Sequence, residues 1–182
     1  MYGNESIVLQ RDVNMVQIPD GTPGVLPKGH IVTLYQQLGG NFTVTTERGY
    51  MVRIAAVDAD ALGKEPAIAG QIAHGLDAET VEQNVWEVLK TIYDPEIPVN
   101  VADLGLIYSC RVIPIAEGQH RVEIIMTLTA PGCGMGPILQ QDIEAGVKSL
   151  PGVAEVGVEV VFDPPWSREM MSEVAKLQLG MF

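Results

Sequence analysis

The spacing of apolar residues changes character near residues 62–78, and the change divides the chain. Before it, β-like runs rich in Val, Thr, Ile, Tyr and Phe occupy His30–Gln36, Phe42–Thr46 and Tyr50–Ala55. Gly39-Gly40-Asn41 and Glu47-Arg48-Gly49 separate them as turns, which predicts consecutive hairpins. This reads as a small β-rich N-terminal domain over residues 1–62, in the form of a partial barrel. Residues 63–77, with Gly63, Pro66, Gly70 and Gly75, read as a linker.

Beyond the linker the period lengthens. Val81, Val85, Val88, Leu89 and Ile92 fall at helical spacing and predict an amphipathic helix over 78–93. Its start is marked by Asp77 as N-cap or by a Thr80/Gln83 capping box, and its end by Pro95, which disfavours helical backbone at Asp94. Leu106–Pro114 and His120–Thr129 predict a hairpin turning at Glu117-Gly118-Gln119, with Val122, Ile124, Met126 and Leu128 on one face and Thr127 and Thr129 on the polar one. Leu139, Ile143 and Val147 form the stripe of a second helix entered through Pro137. After Pro151-Gly152, Val156, Val158, Val160 and Phe162 alternate with Glu155, Gly157 and Glu159 in a third strand. Ser167 then caps a last helix whose apolar positions are Met170, Val174 and Leu177. The predicted class is α+β: residues 78–182 form a small mixed sheet with packed helices in the order helix, hairpin, helix, strand, helix, preceded by the β-rich domain.

Composition narrows the function. Of 182 residues, 47% are hydrophobic and 19% charged, an ordinary globular balance. The formal net charge of −12 repels phosphate backbones and excludes nucleic acid from the expected partners. No basic segment leads into an apolar run at the N-terminus, and no stretch has the roughly 18 apolar residues of a membrane helix. Two cysteines do not make a disulfide framework and suit a reducing compartment, so the expected location is the cytoplasm, away from membranes.

Chemistry concentrates at Cys133. It stands in Ala130-Pro131-Gly132-Cys133-Gly134-Met135-Gly136, between a strand end and a helix start. Glycines let backbone N–H groups approach a ligand, and a helix N-terminus carries partial positive charge. Both favour the thiolate, which is the nucleophile and metal ligand. Cys110, mid-strand beside Tyr108 and Val112, reads as a core thiol, and the 22 residues between the cysteines are not a chelating interval. Asp94 and Glu96 bracket Pro95 and read first as solvated residues at a helix stop. His30, His74 and His120 share no ligand spacing, and Trp166 reads as packing or an interface anchor.

Four ordered strings carry a resemblance: Asp94-Pro95-Glu96-Ile97-Pro98, Asp103-Leu104-Gly105-Leu106-Ile107-Tyr108, Thr127-Leu128-Thr129-Ala130-Pro131-Gly132-Cys133 and Val161-Phe162-Asp163-Pro164-Pro165-Trp166. Over about residues 78–180 the chain resembles the small domain shared by PaaD of phenylacetate metabolism and by factors of bacterial SUF and eukaryotic cytosolic iron–sulfur assembly. The preceding β-rich part, with Gly24-Val25-Leu26-Pro27-Lys28-Gly29, looks like the extension that distinguishes SufT-type members. The resemblance implies a non-enzymatic accessory factor that helps deliver clusters to apo-proteins. It implies a pocket of Asp94, Glu96, Thr129 and Cys133, with Cys133 as functional thiol and transient cluster or metal ligand. Ala130 and Gly134 depart from the family pattern, which often has threonine and proline there.

No cofactor is expected to be stably bound, because clusters generally take four cysteinyl ligands; the expected cargo is a transient iron–sulfur cluster. Expected partners are iron–sulfur carrier or scaffold proteins, apo-protein clients and a second copy of the chain. Two alternatives stand beside this: a thiol enzyme with Cys133 as nucleophile, disfavoured for want of a placed histidine, and a PaaD-like helper of a multicomponent oxygenase.

Overall fold

The computed structural model describes residues 2–38, 40–65, 73–132 and 134–181. It divides into two compact units, Met1–Gly70 and Gln71–Phe182.

In the first unit, six strands form one antiparallel sheet: β1 (Tyr2–Val8), β2 (Val13–Gln17), β3 (Pro23–Leu26), β4 (Ile31–Leu38), β5 (Asn41–Thr46) and β6 (Met51–Ile54). Their order across the sheet is β1-β4-β5-β6-β2-β3, so the predicted hairpins β4–β5–β6 are its centre. The three strands not read from the sequence flank them. β1 and β3 are edges, where backbone pairing to one neighbour suffices; β2 pairs with both β3 and β6, and there Asn14 and Gln17 dilute the apolar signal, as Glu5 and Ser6 do in β1. Phe42, Val44, Val52 and Ile54 are fully buried and pack with Val13, Val32 and the 3₁₀ turn Ala56–Leu62. Arg11 pins that turn by pairing with Asp58 at 2.8 Å and Asp60 at 2.7 Å.

The second unit opens with α1 (Ala78–Leu89). Asp77 is its N-cap, accepting from Thr80 N at 2.9 Å, and the Thr80/Gln83 box is not the cap. The helix stops four residues short of the predicted Tyr93. Ile92 O accepts from Val101 N and Tyr93 bridges Asn100, so these backbone groups are already committed to a return strand before Pro95 acts. Asn84, buried in α1, holds Ala73 by both its backbone groups, at 2.8 and 3.0 Å.

The sheet of this unit is β7 (Ile107–Ala116), β8 (Gln119–Met126) and β9 (Val153–Val160). β8 pairs antiparallel with β7 and parallel with β9. Between β8 and β9 runs α2 (Gly136–Lys148), with Pro137 in its first turn. Helix α1 packs on β7, α2 packs on β9, and the helices meet where Gly146 leaves room for Val88. Val122, Ile124, Met126, Leu139, Ile143 and Val147 are buried, as their spacing predicts. The opposite face of the sheet carries Ser109, Arg111, Glu123, Ile125, Gly157 and Glu159 and is open. At the β9 edge, Gln140 and Lys148 of α2 donate to the carbonyls of Val158 and Ala154. This bears out the α+β class with a mixed sheet and packed helices.

Two expectations fail at the C-terminus. Strand β9 ends at Val160, and Phe162 lies beyond it, 49% exposed. The last helix is broken into a 3₁₀ turn (Arg168–Met170) and α3 (Glu173–Gln178). Ser172 caps α3 by accepting from Ala175 N at 3.1 Å, and Ser167 makes no side-chain cap. The break inverts the predicted stripe: Ala175 is buried while Val174 and Leu177 are exposed. Its cause is docking, because Ser172 N donates to Asp103 O at 2.8 Å and Ser172 Oγ donates to Asp103 Oδ1 at the same distance.

Candidate functional site

The turn after α1 is built around a buried carboxylate. Asp94 is 6% exposed, and its Oδ1 accepts from the N–H groups of Glu96 and Ile97, each at 2.9 Å. Burial raises the Asp94 pKa above the ordinary carboxylate range, the two N–H donors oppose the rise, and the charge of Glu96 adds to it. The expectation of a solvated pair at a helix stop is therefore corrected for Asp94, while Glu96 is exposed. The cause is the bridge to Asn100, which folds the turn back onto Val99 and Val101, both buried.

From this turn, backbone hydrogen bonds step across the unit. Val101 N donates to Ile92 O, Leu106 N to Val101 O, and Thr127 N to Leu106 O. This ladder ties the turn of Asp94 to the end of β8, from which the chain enters the Thr129–Met135 loop. Thr129 is half-buried at the mouth of that loop. Thr127 is 1% exposed, and its Oγ1 has no hydrogen-bond partner among the described residues. The sequence pattern put it on the polar side of a strand. That pattern misses its burial because β8 ends at Met126 and Thr127 continues into pairing with Leu106.

The other two motif strings close around the same segment. Trp166 Nε1 donates to Leu104 O at 2.7 Å, and Tyr108 Oη donates to Pro164 O at 2.7 Å. Gly105 has φ of 72°, and a Cβ placed there would stand 2.2 Å from Met170 O. Asn100 and Asp103 lock each other, Nδ2 donating to Oδ2 at 2.7 Å and Asp103 N donating to Asn100 Oδ1 at 2.8 Å. The sequence reading passed over this Asn100–Asp103–Ser172 network. The Asn-x-x-Asp spacing was its local signal, but Ser172 lies 69 residues from Asp103.

Cys133 lies outside the described residues. Its neighbour Gly132 is exposed with φ of 80°, a conformation suited to glycine, and Gly136 seats the start of α2 against Leu128. Cys110 is half-buried, and burial together with the charge of Glu82 pushes its thiol up to about 11. At neutral pH it is protonated, a poor ligand and nucleophile. Among the described residues no three His, Cys, Asp or Glu side chains gather to hold a metal. With two cysteines in the chain, one of them protonated at neutral pH, a single copy does not supply the four thiolates of a resident cluster.

The family model described as iron–sulfur cluster assembly protein matches residues 82–160. An Fe-S protein maturation auxiliary factor of Porphyromonas gingivalis is 46% identical over 99 residues, covering 54% of this chain and 90% of the relative. The chain belongs to the iron–sulfur cluster assembly protein family. The Fe-S protein maturation auxiliary factor SufT of Staphylococcus aureus is 37% identical, covering 50% of this chain and 98% of that relative. A crystal structure of a domain of unknown function, DUF59, from Bacillus anthracis aligns with a TM-score of 0.50 and 35% identity, over 58% of this chain and 96% of that one. These matches bear out the SufT-type resemblance and an accessory role in iron–sulfur cluster assembly. The family match begins at residue 82, so the first unit lies outside it.

Proposed function

We propose that this family member is a non-enzymatic factor that helps deliver iron–sulfur clusters to apo-proteins, through a pocket of Asp94, Glu96, Thr129 and Cys133. The observation that carries the reading is the buried Asp94 carboxyl. It occupies the turn tied by the Ile92–Val101–Leu106–Thr127 ladder to the strand that leads into the Cys133 loop. An ionised carboxylate there works against local stability, which points to retention for function.

In this reading Cys133 is a transient cluster ligand, and a carrier or client supplies the remaining thiolates. The names of the relatives, auxiliary factors, support a helper rather than a catalyst. The assembly module is residues 78–182, entered through a connector at 63–77 from the β-rich domain at 1–62. The clasp of Asn84 on Ala73 supports assigning the end of that connector to the module's surface. The proposed setting is the cytoplasm, and no helix among the described residues is long and apolar enough to cross a membrane.

The test is anaerobic reconstitution with iron and sulfide followed by transfer to an apo-ferredoxin, using wild type and Cys133→Ser. The expected result is substoichiometric, chelator-labile iron in the wild type, faster transfer than in its absence, and loss of both in the variant. A stable cluster that survives Cys133→Ser would overturn the reading.

A further inference from the structure

The two edges of the β7–β8–β9 sheet differ. At β9, Gln140 Nε2 donates to Val158 O at 2.8 Å and Lys148 Nζ donates to Ala154 O, so side chains of α2 occupy outward carbonyls. No such cover lies along the outer edge of β7 among the described residues. The register identifies the backbone groups left over there. His120 N donates to Gly152 O and Val161 N to Met126 O, so the even positions of β8 turn their backbone groups toward β9. The odd positions Arg121 and Glu123 then bond to their partners Ile113 and Arg111 of β7. By the same alternation, the N–H and C=O groups of Cys110 and Val112 point outward, where no group of the described residues meets them. Pro114, next in that series, has no N–H to offer and ends the slot. Helix α1 packs on β7 and walls one side. Glu82, exposed on α1, acts by its charge on the Cys110 thiol, which places it beside these outward groups. Trp86, half-buried, lies one turn further along the same side of α1. Toward the open face of the sheet stands Arg111, exposed and without an ion pair among the described residues.

We propose that the slot between α1 and the free edge of β7 takes an extended segment of a partner protein as a fourth strand, carrying a basic, an acidic and an apolar side chain in succession. Main-chain hydrogen bonds to Cys110 and Val112 supply the docking, and side chains of alternate sense supply the selection. Residues of the added strand level with Cys110 and Val112 point to the α1 side, and the one between them, level with Arg111, points to the open face. The α1 side presents Glu82 and Trp86, which call for a basic and an apolar side chain two positions apart. The intervening residue faces Arg111 and is acidic. The formal net charge of −12 repels another copy of the chain and steers partners whose docking surface is basic. The slot stands apart from the pocket of the proposed function, and binding there requires neither Cys133 nor a cluster.

The experiment is residue-resolved amide hydrogen exchange of the full chain, by NMR, with the acetylated and amidated peptide Thr-Lys-Glu-Val-Thr-Lys. Without peptide, Cys110 and Val112 exchange faster than Arg111 and Ile113. The expected result is saturable binding that slows exchange at Cys110 and Val112 by roughly tenfold or more. The peptide Thr-Glu-Lys-Val-Thr-Lys has the same composition but sets like charges against Glu82 and Arg111, and it binds roughly tenfold more weakly or worse. Glu82→Lys, at an exposed position, weakens the first peptide by a similar factor. Val112→Pro removes an outward N–H that β8 does not use and weakens it too. Circular dichroism melts check that both variants fold; if Val112→Pro does not, Glu82→Lys and the swapped peptide decide. Absence of binding at millimolar peptide overturns the proposal, as does binding that leaves Cys110 and Val112 unprotected, or equal affinity for the two peptides. Protection of these amides that grows with chain concentration in the absence of peptide assigns the edge to a second copy, and overturns it as well.

Discussion

The indole N–H of Trp166 donates to the carbonyl of Leu104 at 2.7 Å, across 62 residues of sequence. With Tyr108 Oη on Pro164 O, this bond fastens the segment after β9 onto the segment before β7. At the crossing point Met170 O packs against Gly105 so closely that no side chain fits.

Gly105→Ala should therefore be severe. It adds a clash with a backbone atom to an unfavourable positive φ, and roughly 2–4 kcal/mol is expected. Gly132→Ala, at a similar φ in open space, should cost about 1 kcal/mol. Urea denaturation of both variants checks the ordering, and equal losses would show that the close approach to Met170 is not what matters.

Trp166→Phe keeps most of the packing but leaves Leu104 O without its donor. A loss of about 1–2 kcal/mol is expected, read as a lower Tm. No change in Tm would mean that water replaces the indole without penalty.

Asp94 gives a pH-dependent prediction. Its folded pKa is raised above the unfolded value, so its stabilising contribution is present below the unfolded pKa and is lost as pH rises through the folded pKa. Asp94→Asn keeps an oxygen acceptor for Glu96 N and Ile97 N and removes the buried charge. The Tm of the variant should match wild type in acid and exceed it increasingly toward neutrality. On the proposed function, a deletion strain carrying the variant should nevertheless lose most iron–sulfur enzyme activity. A lower neutral Tm, with activity falling only in proportion, would make Asp94 structural.

The two thiols should separate in a labelling experiment. With its pKa near 11, Cys110 should react slowly with iodoacetamide at pH 7.5 and accelerate steeply as pH approaches that value. Cys133 is expected to carry nearly all the adduct at pH 7.5, mapped by peptide mass. Faster labelling of Cys110 would reverse the assignment of the reactive thiol.

Cys133→Ser is expected to change the unfolding free energy by less than about 1 kcal/mol, read by urea denaturation, since a loop position tolerates a small polar residue. It should fail to restore iron–sulfur enzyme activity in a deletion strain. Full rescue would make the thiol dispensable.

Period and punctuation alone determined the central hairpins of the first unit, the α1 and α2 stripes, the β7–β8 hairpin and the α+β class. These are local signals: each apolar face is written at a spacing of 2 or 3.6 in the residues that form it. The ordered motifs likewise carried the family, and the loop glycines marked Cys133 as the thiol of interest. What the sequence did not contain is contact between distant segments. Asp94 looked like a solvated helix stop because nothing local says that Tyr93 will bridge Asn100 and bury it. Thr127 looked polar-facing because its pairing with Leu106 belongs to the return of another segment. The last helix was misread for the same reason: Met170, Val174 and Leu177 have helical spacing, but Asp103 takes hold of Ser172 and restarts the helix with a different face inward. Only the tertiary structure decides such positions, since their burial is set by partners up to 69 residues away.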